Sequence, residues 1–226
     1  GSIVDTVRMG RRIYENIRNA MRYIIAVHVP TVGMSVLPLL FGWPLMLFPV
    51  HIVFLEFVID PACSIVFEAE DNEEGAMQRS PRDPKAPLFE AGLLATGLGL
   101  GISVLVAVFL VYWWGVAGGR TDAELRALGF AAIVFGNLAL ILANRSRERS
   151  IVATLARPNP ALWWVLLGTL AALGTAIYVP PVAEIFQFAP LGAGDVLVAL
   201  AAGTAGVLWF EVFKWRVAAL RVQRAA

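Results

Sequence analysis

Long apolar stretches alternate with short polar ones along this chain, and six of the apolar stretches approach the length of a membrane crossing. They run from 20 to 41, 50 to 67, 91 to 114, 127 to 143, 161 to 180 and 196 to 213. A hydrocarbon layer roughly 30 Å thick takes about 20 residues of helix at 1.5 Å rise, which is close to what each run supplies. Lipid offers the backbone no hydrogen-bond partner, and the runs are longer than barrel strands and lack their alternation, so the pattern predicts helices. The expected fold is all-α, a polytopic six-transmembrane-helix bundle. Ahead of the first run, residues 1–19 set Ile3, Val7, Ile13 and Ile17 among charges at helical spacing with no proline. This predicts a stalk helix continuing into the membrane; a basic amphipathic segment lying on the lipid surface is the alternative.

Composition narrows the setting. Of 226 residues, 58% are hydrophobic and 15% charged, with a mean hydropathy of +0.71, too apolar for a soluble domain. Net charge is +1, so the placement of charges matters more than their sum. Sixteen of the eighteen basic residues fall on one side of the expected bundle: Arg8, Arg11, Arg12, Arg18, Arg22, Arg79, Arg82, Lys85, Arg145, Arg147, Arg149, Arg157, Lys214, Arg216, Arg221 and Arg224. Arg120 and Arg126 fall on the other, beside Asp122 and Glu124. Basic residues near span ends are retained in the cytoplasm, so both termini are predicted cytoplasmic, in a plasma (inner) membrane. Cys63 is the single cysteine, which excludes an internal disulfide and a multi-thiolate metal site. The opening GSIVDTVRMGRR has no initiator Met and no signal-peptide pattern, as expected for a piece of a longer protein.

Chemistry concentrates in the second run, HIVFLEFVIDPACSIVF, where Glu56 and Asp60 lie mid-span. Each acid costs on the order of 3 kcal/mol to insert, so something compensates. Spacing of i, i+4 puts both on one helical face, where they can share a cation or a proton; ion pairing with a neighbouring helix is the structural alternative. Pro61 follows, lacks an N–H and deprives the Phe57 carbonyl of its helical donor, which predicts unwinding at Asp60. In the first run Pro30 frees the Ala26 carbonyl in the same way, with His28, Thr31 and Ser35 as polar neighbours. An oxygen-rich site with two negative charges favours a hard cation such as Ca²⁺ over soft metals. His28 reads as a pocket-lining or hydrogen-bonding group, and Asn137 and Asn144 as amides bonding across helices, with an oxygen contributed to the site as the alternative. Gly97 and Gly101 read as a close helix contact, Glu211 and Lys214 as a local ion pair, and the pairs Trp113/Trp114 and Trp163/Trp164 as interfacial anchors.

Those residues carry a resemblance. GRRIYENIRNAMRYIIAVHV resembles the fifth stalk and membrane helix of P-type cation-transporting ATPases of the type II, calcium-pump-like group. FPVHIVFLEFVIDPACSIVFEAE, followed by RSPRDPKAPLF, is similar to that family's sixth helix and the Pro-rich loop before the seventh. The resemblance implies that residues 1–226 form the C-terminal membrane domain of such a pump. The resemblance bears on Asp60, Glu56 and Thr31, and with the proline-freed carbonyls of Phe57 and Ala26 and the neighbouring His28 they make up the expected metal site. Asp60 matches the family's ion-binding acid; Glu56 stands where calcium pumps carry an ion-binding Asn, and Thr31 where they carry a Glu. One acid has moved from the fifth helix to the sixth.

The chain contains no DKTGT phosphorylation motif, so it is not expected to hydrolyse ATP alone. ATP and Mg²⁺ would act in actuator, phosphorylation and nucleotide-binding domains, which together with four earlier membrane helices would precede Gly1. Arg8, Arg11 and Arg12 then read either as transmitters of the stroke or as solvated or lipid-facing charge. A stand-alone six-helix channel or secondary transporter, and a regulatory membrane subunit, are the competing functions. None of these requires nucleic acid.

Overall fold

The computed structural model describes residues 2–70, 77, 90–146, 151–156 and 158–225; for 58–60, 62, 63 and 217–225 it describes the backbone alone. The stretch carrying Arg79, Arg82 and Lys85, and the positions of Arg147, Arg149 and Arg157, lie outside the described residues, as do the side chains of Asp60, Cys63, Arg221 and Arg224. The architecture is an all-α polytopic membrane bundle, without strands among the described residues.

Helix α1 runs uninterrupted from Ser2 to Leu40. Its 39 residues measure about 58 Å at 1.5 Å each, well beyond one hydrocarbon thickness. Pro30 and Pro38 both sit inside it without ending it. It stops at Gly42, whose φ of 67° is easily adopted only by glycine, while the Trp43 N–H returns to the Pro38 carbonyl at 2.8 Å. The second apolar run forms three consecutive pieces: α2 (Pro49–Phe54), a π turn (Leu55–Ile59) and α3 (Asp60–Glu68). The expected unwinding at Asp60 is therefore replaced by a widened turn just ahead of Pro61. A π turn holds one surplus residue, so it can accommodate the missing proline donor while the segment stays helical.

Four further long helices follow: α4 (Ala91–Ala117), α5 (Asp122–Asn144), α7 (Pro160–Tyr178) and α9 (Ala193–Ala225); the short α6 (Ile151–Leu155) and α8 (Pro180–Phe186) lie between. Among the described residues five helices, α1, α4, α5, α7 and α9, are long and apolar enough to cross a membrane. Helix α7 ends at Tyr178 because Pro180 forces Val179 into an extended conformation, φ −91° and ψ 110°. Thr121 and Glu124 cap α5 reciprocally: the Thr121 N–H donates to Glu124 Oε2 at 2.8 Å, and the Glu124 N–H to Thr121 Oγ1 at 3.4 Å.

Helix α5 is the centre, buried along almost its whole length and packed on α1, α4, α7 and α9. Glycines set its distance from α9. A Cβ on Gly203 would come within 2.8 Å of the Phe135 carbonyl carbon, while one on Gly206 would come within 2.8 Å of the Val104 Cα and so sets the distance of α9 from α4. The Gly97/Gly101 pair seats α4 on α1, where a Cβ on Gly101 would lie 2.7 Å from the Ala26 oxygen. Close backbone approach replaces the hydrophobic drive that lipid does not supply.

Polar contacts gather at the two ends of the bundle. At one, Arg18 meets Glu90 at 3.0 Å, Arg145 meets Glu70, and Lys214 Nζ donates to the Ala143 carbonyl at 2.6 Å while pairing with Glu211 at 2.9 Å. At the other, Arg120 pairs with Asp195, and Arg126 Nε donates to the Gln187 carbonyl at 3.1 Å with its guanidinium over the Phe48 ring. Trp113 and Trp114 near the end of α4, and Trp163 and Trp164 near the start of α7, are exposed to the surroundings.

Candidate cation site

Of the residues singled out in the sequence, His28 and Glu56 come together. The π turn carries Glu56, α1 carries His28, and His28 Nε2 lies 3.5 Å from Glu56 Oε1. The other imidazole nitrogen, Nδ1, is 2.7 Å from the Ile24 carbonyl oxygen. A carbonyl only accepts, so Nδ1 carries a hydrogen and donates it. In a neutral imidazole, Nε2 then turns a lone pair toward a carboxylate oxygen, and two acceptors face each other. That arrangement is repulsive until one positive charge, a proton or a metal ion, lies between them. Both side chains remain partly exposed, at 44% and 38%, on a face that the described helices leave uncovered.

The other candidates are arranged differently. Thr31 is buried and donates its hydroxyl to the Val27 carbonyl at 3.0 Å; Ser35 donates to the Thr31 carbonyl at 2.8 Å. Both are back-bonds within α1, which satisfy the hydroxyl hydrogens and leave lone pairs available. The Ala26 carbonyl, which Pro30 deprives of its helical donor, packs against Gly101 of α4. The Phe57 side chain is 77% exposed, so only its backbone oxygen, four residues before Pro61, belongs to the candidate set. Asp60 opens α3 directly after the π turn, and its side chain lies outside those described. Among the described residues no three His, Cys, Asp or Glu side chains converge as a metal-binding group.

Two polar centres flank this site, and neither emerged from the sequence. His51, in the first turn of α2, accepts the Phe48 N–H at Nδ1 (2.8 Å), so its Nε2 carries the hydrogen donated to the Phe186 carbonyl (2.8 Å). Its ring stacks on Phe188 with centroids 4.9 Å apart. At the far end, Glu70 receives Arg145 Nε at 2.7 Å and Asn159 Nδ2 at 3.1 Å. Asn137 and Asn144 do not supply the expected interhelical bonds: Asn144 donates to the Leu140 carbonyl of its own helix, and Asn137 Oδ1 has no hydrogen-bond partner among the described residues. Asn16, Asn19 and Asn159 bond between elements instead.

The polytopic helical bundle opposes an imidazole to a carboxylate at a widened helical turn, which defines the class as a helical membrane domain with a candidate cation site. The chain belongs to the family described as "Cation transporting ATPase, C-terminus", whose model matches residues 44–216. It is similar to "Calcium-transporting ATPase" of Bacillus subtilis (strain 168), 27% identical over 203 residues, covering 88% of this chain and 22% of that protein. It is also similar to "Calcium-transporting ATPase 1" of Schizosaccharomyces pombe, 27% identical over 217 residues, covering 95% and 24%. "Calcium-transporting ATPase type 2C member 1" of Homo sapiens is 23% identical over 215 residues, covering 94% and 23%. The chain thus spans under a quarter of the length of these relatives.

Proposed function

We propose that this bundle is the ion-translocating part of an ATP-driven P-type cation pump, with Glu56 and Asp60 as the charged ligands and His28, Thr31 and the carbonyls of Ala26 and Phe57 around them. The single observation that carries the reading is the 3.5 Å approach of His28 Nε2 to Glu56 Oε1 at the widened turn, a pair of groups between which a proton or a metal ion can be held. Ca²⁺ is the favoured cargo, because carboxylate, hydroxyl and carbonyl oxygens suit a hard cation and the relatives named above are calcium-transporting. The exposed face of His28 and Glu56 would be unstable against hydrocarbon, which supports earlier membrane helices of the same pump as its cover. ATP with Mg²⁺ would act in domains beyond these residues, and this chain alone would not hydrolyse it. The basic end of the bundle is the cytoplasmic one in this reading, in a plasma (inner) membrane.

The test is ATPase activity of the complete pump containing this chain, titrated with Ca²⁺, Mg²⁺, Na⁺, K⁺ and protons. Stimulation by one cation, abolished in Asp60→Asn, is expected; stimulation unchanged in that variant removes Asp60 from the mechanism.

A further inference from the structure

Arg145 is the largest fully buried side chain among the described residues, with 0% of it exposed. A guanidinium keeps its charge, so burying it is unfavourable unless its donors are met. Glu70 meets two of them, Oε2 with Nε at 2.7 Å and Oε1 with Nη2 at 3.3 Å. Glu70 lies two residues beyond α3, so the pair fixes the end of the helix that Asp60 opens.

Three amides tighten the same point. Asn159 Nδ2 donates to the Val66 carbonyl in α3 and to Glu70 Oε2, both at 3.1 Å, while its Oδ1 caps α7 through the Leu162 N–H at 3.2 Å. From α1, Asn16 donates to the Glu70 carbonyl at 3.0 Å and Asn19 to the Arg145 carbonyl at 3.3 Å. The end of the second span is thereby tied to α1, α7 and the end of α5. His51 ties its beginning to Phe48 and Phe186. Between the two ties lies the π turn with Glu56. A segment held at both ends passes a displacement of either end to its middle, and the turn with a surplus residue is where it can rotate. Residues 2–10 of α1 project past the clamp and are exposed, so a movement of that extension reaches Glu70 through Asn16 and the Arg145 backbone through Asn19.

We infer that Arg145 is a positioning residue for the cation site: acting through Glu70, it sets the height and rotation of the second span and hence the geometry of Glu56 toward its ion. This rests on the proposal that Glu56 holds the transported cation. Glu70→Asp keeps the charge and shortens the reach by one methylene; Arg145→Lys keeps the charge and loses the planar fork. In the complete pump, each is expected to raise the cation concentration for half-maximal ATPase stimulation about fivefold or more, with maximal velocity within about twofold of wild type. A side chain that only stabilises the fold would lower yield and melting temperature and leave the half-maximal concentration of the folded protein unmoved. That result overturns the assignment. Should Glu70→Asp fail to fold, Asn16→Ala removes the α1 tie to the same residue and is expected to shift the half-maximal concentration in the same direction. An unchanged value there counts equally against the inference. Absence of cation stimulation in the wild-type pump would instead overturn the transport reading itself, and with it this assignment.

Discussion

Gly203 of α9 and Gly136 of α5 meet backbone to backbone: a Cβ placed on Gly203 would stand 2.5 Å from the Gly136 nitrogen. No side chain can occupy that space unless the helices part. Gly203→Val should therefore cost about 1–3 kcal/mol or more through overpacking. Thermal unfolding of the bundle in detergent should show it as a lower midpoint, by about 2–4 °C for each kcal/mol. Gly168 has nothing within 4 Å of the corresponding position, so Gly168→Ala should leave the midpoint within about a degree or raise it.

His51 bridges the loop before α2 and the end of α8, and both of its partners are backbone groups with little alternative. His51→Ala removes a stacked ring and strands the Phe48 N–H and the Phe186 carbonyl. A loss of about 2–4 kcal/mol is expected, from a cavity and unmet polar groups together. His51→Phe preserves ring volume against Phe188 and should recover part of that loss. A denaturation series on the three proteins checks the order wild type, His51→Phe, His51→Ala.

Arg120 and Asp195 join the loop after α4 to the first turn of α9, each side chain about a fifth exposed (23% and 19%). Asp195 also accepts the Gly192 N–H at 3.2 Å, which fixes its carboxylate. Asp195→Asn should lower stability by about 0.5–1 kcal/mol at low salt, and the difference from wild type should shrink as ionic strength rises. Melting curves at low and high salt measure both effects.

Much of this was legible because lipid leaves few solutions. An apolar run of membrane length must be helical, so the expected 91–114 and 127–143 lie within α4 and α5, and the pre-membrane stretch is helical with α1. Glu56 stood out in the sequence because an acid within an apolar run is costly to place in lipid without compensation. Pro30 lies inside a continuous α1, where the Ala26 oxygen packs at Gly101; the reading that proved too strong is the break at Asp60. Pro61 yields a π turn in place of a break. The Glu70 clamp was not legible, because its partners lie 75 and 89 residues away. Glu70 belongs to an acidic run and Arg145 to a basic one, and such runs ordinarily read as solvated. His51 was hidden for a different reason: its hydrogen bonds go to backbone groups, which leave no mark in the sequence.

The account depends on a cation seated at Glu56, and equilibrium binding of radioactive Ca²⁺ to the purified complete pump tests that most directly. Wild type should bind, and Glu56→Ala should bind at least about tenfold more weakly, a difference of about 1.4 kcal/mol or more. Equal binding by a folded Glu56→Ala pump would contradict it.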